Sequence, residues 1–322
     1  MGGAEMVAVS PGWAIVGAAI LGVMVFLSVA LNSVLTARAE RTNGSDGSAY
    51  LRGAVAGPMD ESARLLRQRR RSTVSADSLL WRSSGAGLLV VALLMVAVVP
   101  LGRWTIAPLD VGVVWFNAMD VVVWALVWLV GWGPNSAHSL VGGYRFLAHG
   151  LGYELPLMFA LVAPVIASGS LNVGTVAAAQ EGLWFVVWMP VAFGVYCLGV
   201  VAFSVWGPFA AALGADIGGG VGAELSGVDR LLFTAGRYAL LAAGAAFAVP
   251  MFLGGGSGPF APDWVWTLVK TVLLLSALVW LRRRMPIMRP DTFMELGWVV
   301  LLPAVVAQDL IVSIVAVVRT GS

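Results

Sequence analysis

The chain alternates long apolar runs with short polar returns. Eight runs are long enough, or nearly so, to cross a hydrocarbon layer of about 30 Å. They cover residues 13–36, 85–102, 111–133, 150–168, 183–206, 231–253, 263–281 and 295–318. Gly and Pro recur inside them, as membrane helices allow, because neighbouring helices re-satisfy the freed backbone groups. The pattern predicts an all-α polytopic membrane protein of about eight transmembrane helices. It forms one integral membrane domain, residues 1–322, with no soluble domain attached.

The polar returns set the orientation. Residues 37–84 carry Arg38, Arg41, Arg52, Arg64, Arg67, Arg69, Arg70, Arg71 and Arg82, and residues 282–294 carry Arg282, Arg283, Arg284 and Arg289. On the opposite face only Arg103 and Arg319 appear. Basic loops stay cytoplasmic, so both termini are expected on the outer, periplasmic side. The cytoplasmic loop 37–84 opens with the polar "ARAERTNGSDGSAY". An amphipathic basic helix is expected near 58–71, with Pro58 at its start, Asp60 and Glu61 in its first turn and Arg at its end. It serves either as a positive-inside anchor or as an interfacial helix that docks a partner or covers a ligand opening. The second long cytoplasmic segment, 207–230, is Gly-rich and acidic, with Asp216, Glu224 and Asp229. It is too polar to span and reads as either a flexible connector or a functional loop.

Composition narrows the chemistry. The chain is 59% hydrophobic and 11% charged, against about a quarter charged in soluble domains. A single cysteine, Cys197, excludes an internal disulfide or a cysteine-held iron–sulfur centre, and two histidines, His138 and His149, argue against a metal site. No nucleophile–base triad is visible, and the glycine triplets at 218–220 and 254–256 lack the strand–glycine–helix context of a nucleotide site. Trp184, Trp188, Trp264 and Trp266 read as interfacial belt residues. Ionisable residues inside apolar runs are functional candidates by default: Asp120, Glu154, Lys270 and Asp309. Lys270 lies close enough to its helix end to snorkel. Glu154 stands at the head of its run, beside Arg145 and Tyr153.

The block "VGWGPNSAHSLVGGYRFLAHGLGYELPLMFALVAPVIASGSLN", residues 130–172, resembles the subunit 1 family of complex I, the H-type membrane subunit of bacterial NADH:quinone oxidoreductase. The resemblance rests on Gly131–Trp132, Asn135–Ser136, Gly142–Gly143 with Arg145, Tyr153–Glu154, and Gly169 to Asn172. Three further blocks are similar: "GPMDESARLLRQ" with Pro58, Glu61 and Arg64; "PFAAALGADIGGGVGAELSG" after the fifth run; and residues 268–303 with Arg282, Pro286, Arg289, Asp291, Gly297, Trp298 and Pro303. The chain departs from the family before Pro208–Phe209, where "FSVWG" carries no charge, so the resemblance is to a divergent paralogue.

The resemblance implies a multi-pass subunit of the bacterial plasma membrane that forms part of a quinone cavity and links quinone reduction to proton translocation. It implies no activity in isolation. It implies a proton path through Glu154, Arg145, Asp120, Asp216 and Glu224. It also implies a quinone-side or partner interface at Pro58, Glu61, Arg64, Arg67, Pro208, Phe209, Arg289 and Asp291. No cofactor and no metal are expected on this chain; quinone is the substrate, and iron–sulfur clusters sit on partner subunits. The implied partners are peripheral iron–sulfur and quinone-site subunits, antiporter-like membrane subunits and membrane lipid, with no nucleic acid. The same scaffold also serves as the membrane anchor of membrane-bound hydrogenase or formate hydrogenlyase complexes. An independent transporter would show an internal inverted repeat, which the sequence lacks.

Overall fold

A computed structural model describes residues 7–10, 12–40 and 47–320. Residues 41–46, with Arg41 and part of the predicted polar loop, lie outside the described residues, as do the side chains of Arg52 and Arg319. In chain order the helices are α1 (Trp13–Glu40), α2 (Gly47–Arg67), α3 (Ser78–Ala97), α4 (Gly112–Trp132), α5 (Ala137–Ser168), α6 (Val173–Ala178), α7 (Phe185–Trp188), α8 (Pro190–Phe203), α9 (Gly227–Phe252), α10 (Asp263–Arg284), α11 (Pro290–Leu296) and α12 (Leu302–Thr320). A two-residue parallel pairing joins β1 (Val7–Ala8) to β2 (Trp104–Thr105). Among the described residues eight helical segments are long and apolar enough to cross a membrane. The protein is a multi-pass, all-α membrane protein.

Helix α9 runs through the centre of the bundle, buried along most of its length. Two of its glycines permit close approach: a Cβ at Gly236 would lie 2.6 Å from Leu88, and one at Gly244 2.5 Å from Val200. Small residues at such crossings let membrane helices meet backbone to backbone. The core around α9 is aromatic. Phe116 of α4 stacks on Phe247 of α9 at 3.8 Å between centroids, and Tyr196 of α8 donates its hydroxyl to the Gly244 carbonyl at 2.8 Å.

Several predicted boundaries are corrected. The second span is 78–97 rather than 85–102: Asp77 caps its start by accepting from the Leu80 N–H at 3.1 Å, and Pro100 lies in the turn beyond its end. The fifth apolar run is broken into α7 and α8, with Pro190 at the first position of α8, where its missing N–H costs nothing. The last span begins at Pro290, not 295, and passes through a π-helical stretch at Gly297–Leu301. The basic helix ends at Arg67, before residue 71, and Pro58 lies inside α2 rather than at its start. The segment 207–230 is no loose connector. It folds into three 3₁₀ turns at 207–213, 215–217 and 220–222 before α9 begins, with Pro208, Phe209, Ala212, Ile217 and Val221 buried.

The correction with the largest consequence concerns α5. It starts at Ala137, thirteen residues before the predicted 150, and its first turns pack against the 3₁₀ turns. Glu154 therefore sits near the middle of a 32-residue helix, about 25 Å from its first residue at 1.5 Å per residue.

Lys270 does not snorkel. It is 6% exposed, and its ammonium donates to the carbonyls of Leu253, Gly255 and Ser257 at 2.7, 2.9 and 2.8 Å. It also lies 4.1 Å from the Trp184 ring centroid. It thus neutralises the carbonyl end of α9. Lys270→Met leaves three carbonyls without this donor and should cost about 2–3 kcal/mol. Thermal unfolding of the detergent-solubilised protein checks this; an unchanged midpoint would refute the clamp.

Candidate functional site

Ionisable side chains from α4 and α5 meet inside the membrane-spanning bundle. On α4, Asn117, Asp120 and Trp124 follow at helical spacing and face α5. On α5, Tyr153 and Glu154 are the facing pair. Asn117 Nδ2 donates to Glu154 Oε1 at 3.3 Å, Trp124 Nε1 to the Tyr153 hydroxyl at 2.8 Å, and that hydroxyl to Asp120 Oδ1 at 3.3 Å. Trp124 can lie against α5 because residue 150 is glycine; a Cβ there would be 2.6 Å from its ring.

Asp120 is fully buried and Glu154 is half-buried, and the two carboxyls are close enough to interact. Asp120 Oδ2 and Glu154 Oε2 have no N–H or O–H donor. Ionised carboxylates are acceptors only, so neither oxygen can satisfy the other while both groups are ionised.

One helical turn toward the start of α5 from Tyr153 lies His149, fully buried between the edges of Phe209 (5.5 Å between centroids) and Phe293 (6.0 Å). One turn further is Arg145. Its guanidinium grips Asp216 through Nη1–Oδ1 at 3.1 Å and Nη2–Oδ2 at 2.7 Å, and also reaches the Ala211 carbonyl at 3.3 Å. The hydrogen bonds from Arg145 hold the Asp216 carboxyl below the usual carboxylate range. Arg145 and Asp216 line a cavity of about 800 Å³ with Ala148, Met288, Arg289 and Asp291. Arg289 and Asp291 pair at 3.4 Å on its exposed rim.

A second opening of about 560 Å³ lies between α1, α2 and α9, lined by Phe26, Pro58, Glu61, Leu65, Thr234 and Tyr238 among others. Glu61 is clasped by Arg64, with two contacts of 2.6 Å that hold its carboxyl below the usual range. Behind Tyr238, the Trp206 ring lies between two buried guanidinium groups, Arg237 at 3.6 Å and Arg282 at 3.7 Å. Arg237 donates to the Val205 carbonyl; Arg282 donates to Asn32 Oδ1 at 2.9 Å and to the Tyr238 hydroxyl at 3.2 Å.

Residues 13–313 match the family model described as NADH dehydrogenase. The chain belongs to the NADH dehydrogenase family. It is 32% identical over 273 residues to an H-type subunit of NADH-quinone oxidoreductase (copy 1) from Geobacter metallireducens, covering 81% of this chain and 83% of that one. It is 34% identical to the H-type subunit (copy 2) of Geobacter sulfurreducens, covering 79% and 80%. It is 36% identical to the H-type subunit of Magnetococcus marinus, covering 69% and 67%.

In this member of the NADH dehydrogenase family the predicted residues fall into three groups. Glu154 and Asp120 form the intramembrane pair. Arg145, Asp216, Arg289 and Asp291 meet at the first cavity, and Pro58 and Glu61 at the second, with Arg64 on Glu61. Pro208 and Phe209 are buried in this chain, so they shape the wall behind the first cavity rather than offering an outer surface. Arg67 is exposed at the end of α2, and half-buried Glu224 follows the third 3₁₀ turn and lines neither cavity. Sequence reasoning does not place His149 in the site, and it misses the Arg237–Trp206–Arg282 stack and the burial of Asp229, which it names only as an acid of the 207–230 segment. Asp229 faces Arg70 at 3.4 Å and Arg82 at 3.8 Å, tying α9 to the segment after α2 and to α3. Arg237 carries a usable signal, a cation six residues into an apolar run.

Proposed function

We propose that the chain is the H-type membrane subunit of an NADH–quinone oxidoreductase of the bacterial plasma membrane, with loops 37–84 and 207–230 on the cytoplasmic side. Quinone is reduced at its cytoplasmic face by electrons from iron–sulfur clusters on peripheral partners. The accompanying protons are linked to movement through the membrane toward antiporter-like partners. The observation that carries this reading is the Asp120–Glu154 pair. Two neighbouring carboxyls at mid-span are costly, and they lie two helical turns from a cavity with a charged mouth.

The opening between α1, α2 and α9 suits passage of a quinone from the bilayer. Its lining is mostly apolar, and the Tyr238 hydroxyl with Arg282 behind it offers polar atoms to a quinone head. Glu61 and Arg64 stand at the same opening. Quinone reduction consumes two electrons and two protons, so negative charge appears transiently near the buried guanidiniums. A fixed positive field is suited to stabilise developing charge in a low-dielectric site.

Affinity purification of the tagged chain from native membranes tests the reading. The expected result is co-purification of iron–sulfur and antiporter-like subunits with NADH-driven quinone reduction. Recovery with a nickel-containing hydrogenase subunit, or as a transporter active alone, would overturn it.

A further inference from the structure

We propose that His149 is a proton-transfer station joining the Arg145–Asp216 cavity to the Tyr153–Asp120–Glu154 cluster. The proposal rests on the reading above that the carboxyl pair carries protons.

Arg145, His149 and Tyr153 occupy positions i, i+4 and i+8 of α5, a single column with about 6 Å between successive Cβ atoms. The lower end of the column opens on the cavity, since Arg145 and Ala148 line it. The upper end is the Tyr153 hydroxyl, already bonded to Asp120 at 3.3 Å. His149 is the side chain between. The aromatic wall holds it in line: Phe209 packs edge-on against both His149 and Tyr153, at 5.5 and 6.4 Å, and against Phe293 at 4.5 Å.

The ring's bonding distinguishes it from a structural histidine. Buried polar side-chain atoms are almost always hydrogen-bonded. Here neither Nδ1 nor Nε2 makes a well-formed hydrogen bond, and the near polar group is the Met288 backbone, itself part of the cavity wall. A neutral imidazole carries one N–H and one lone pair, so it can accept on one side and release on the other. The groups that face it are Arg145 and Tyr153 from α5, Phe209 from the first 3₁₀ turn with Asp216 beyond it on Arg145, Phe293 from α11, and Met288 from the 285–289 segment. Arg289 and Asp291 share the cavity.

In the step, a proton from the cavity, carried past the Met288 backbone by a bridging water, binds one ring nitrogen to give imidazolium. The proton on the other nitrogen leaves through a bridging water to the Tyr153 oxygen as that hydroxyl gives its own proton to Asp120. The ring is left neutral in its other tautomer, which a ring flip resets, and one proton has entered for each that left. A water-bridged hydrogen bond is enthalpically nearly as good as a direct one.

His149→Gln tests the station, because glutamine keeps polarity and approximate size but does not titrate. Inverted membrane vesicles carrying the whole complex are assayed for NADH-driven quinone reduction and for proton uptake. Both are normalised to NADH oxidation by a soluble artificial acceptor, which corrects for the amount assembled. The expected result is a loss of about 100-fold in both normalised rates, at the lower end of the range for a lost general acid–base group. One ionisation should also vanish from the pH profile of the residual rate. His149→Met, an apolar filler, should behave the same way. Wild-type rates and an unchanged pH profile in both variants would overturn the station. Asp120→Asn measured alongside separates the two ideas: if it abolishes pumping while His149→Gln does not, only the station falls; if neither does, the carboxyl reading falls with it.

Discussion

Replacing Asp120 by Asn, or Glu154 by Gln, should lower proton-linked quinone turnover by about 100-fold, in the range measured for loss of a positioned proton-transfer group. Each amide keeps the shape and can still hydrogen-bond to its partner, so the bundle should assemble normally. What the amide cannot do is take up and release a proton. If the two carboxyls work as one unit, the double variant should be little worse than either single one, as with other groups that act together. Tyr153→Phe should have a smaller effect, because it removes one donor to Asp120 at 3.3 Å and leaves both carboxyls in place. Quinone reduction and proton uptake in membrane vesicles, with assembly followed on native gels, decide the matter. Wild-type proton uptake in the Glu154→Gln variant would eliminate the carboxyl pair from the path.

The same pair shows what can and cannot be read from the chain. Asp120 and Glu154 stand out as ionisable residues in or at apolar runs, because hydrocarbon admits such groups only for a reason. Their partnership is invisible there, since it depends on how α4 and α5 face each other across a separation of 34 positions. The depth of Glu154 is misjudged for a definite reason. Residues 137–149 hold Ser, Gly, Arg and His, which lower hydropathy, yet they continue the helix because they pack on the 3₁₀ turns of 207–222 instead of lipid. The 207–230 segment misleads in the same way. Its glycines suggest looseness, whereas the structure uses them for close backbone contacts. Resemblance supplies Pro58, Glu61, Arg145 and Phe209, but only packing shows that Phe209 is an inner wall. Trp206 carries no sequence signal at all, because its role exists only once Arg237 of α9 and Arg282 of α10 close on its two faces.

Gly142→Val should be strongly damaging. A Cβ at position 142 would lie 2.5 Å from the Val221 nitrogen, 2.6 Å from the Ala212 carbonyl oxygen and 2.9 Å from the Gly220 carbonyl carbon. All three are backbone atoms, so no rotamer change can yield the space. Gly220 is equally constrained: its φ is +52°, and a Cβ there would collide with the Ala212 carbonyl. Helix α5 and two of the 3₁₀ turns therefore meet with no side chain between them. Overpacking typically costs about 1–3 kcal/mol, occasionally more, and the absence of any flexible neighbour puts Gly142→Val at the upper end. The consequence reaches the site directly. Arg145 follows Gly142 by three residues on α5, the first of those turns carries Phe209 and Ala211, and Asp216 lies in the turn between the two. Displacing them breaks the Arg145–Asp216 clasp and moves the Phe209 wall away from His149 and Tyr153. Gly194→Ala in α8 is the matched control, since a Cβ there meets nothing within 4 Å and alanine favours helix by up to about 1 kcal/mol. Thermal unfolding of the detergent-solubilised protein and the yield of assembled complex should fall sharply for Gly142→Val and hold or rise for Gly194→Ala. Equal behaviour of the two would mean that the 3₁₀ turns shift freely on α5, and that the cavity wall is not fixed by this backbone contact.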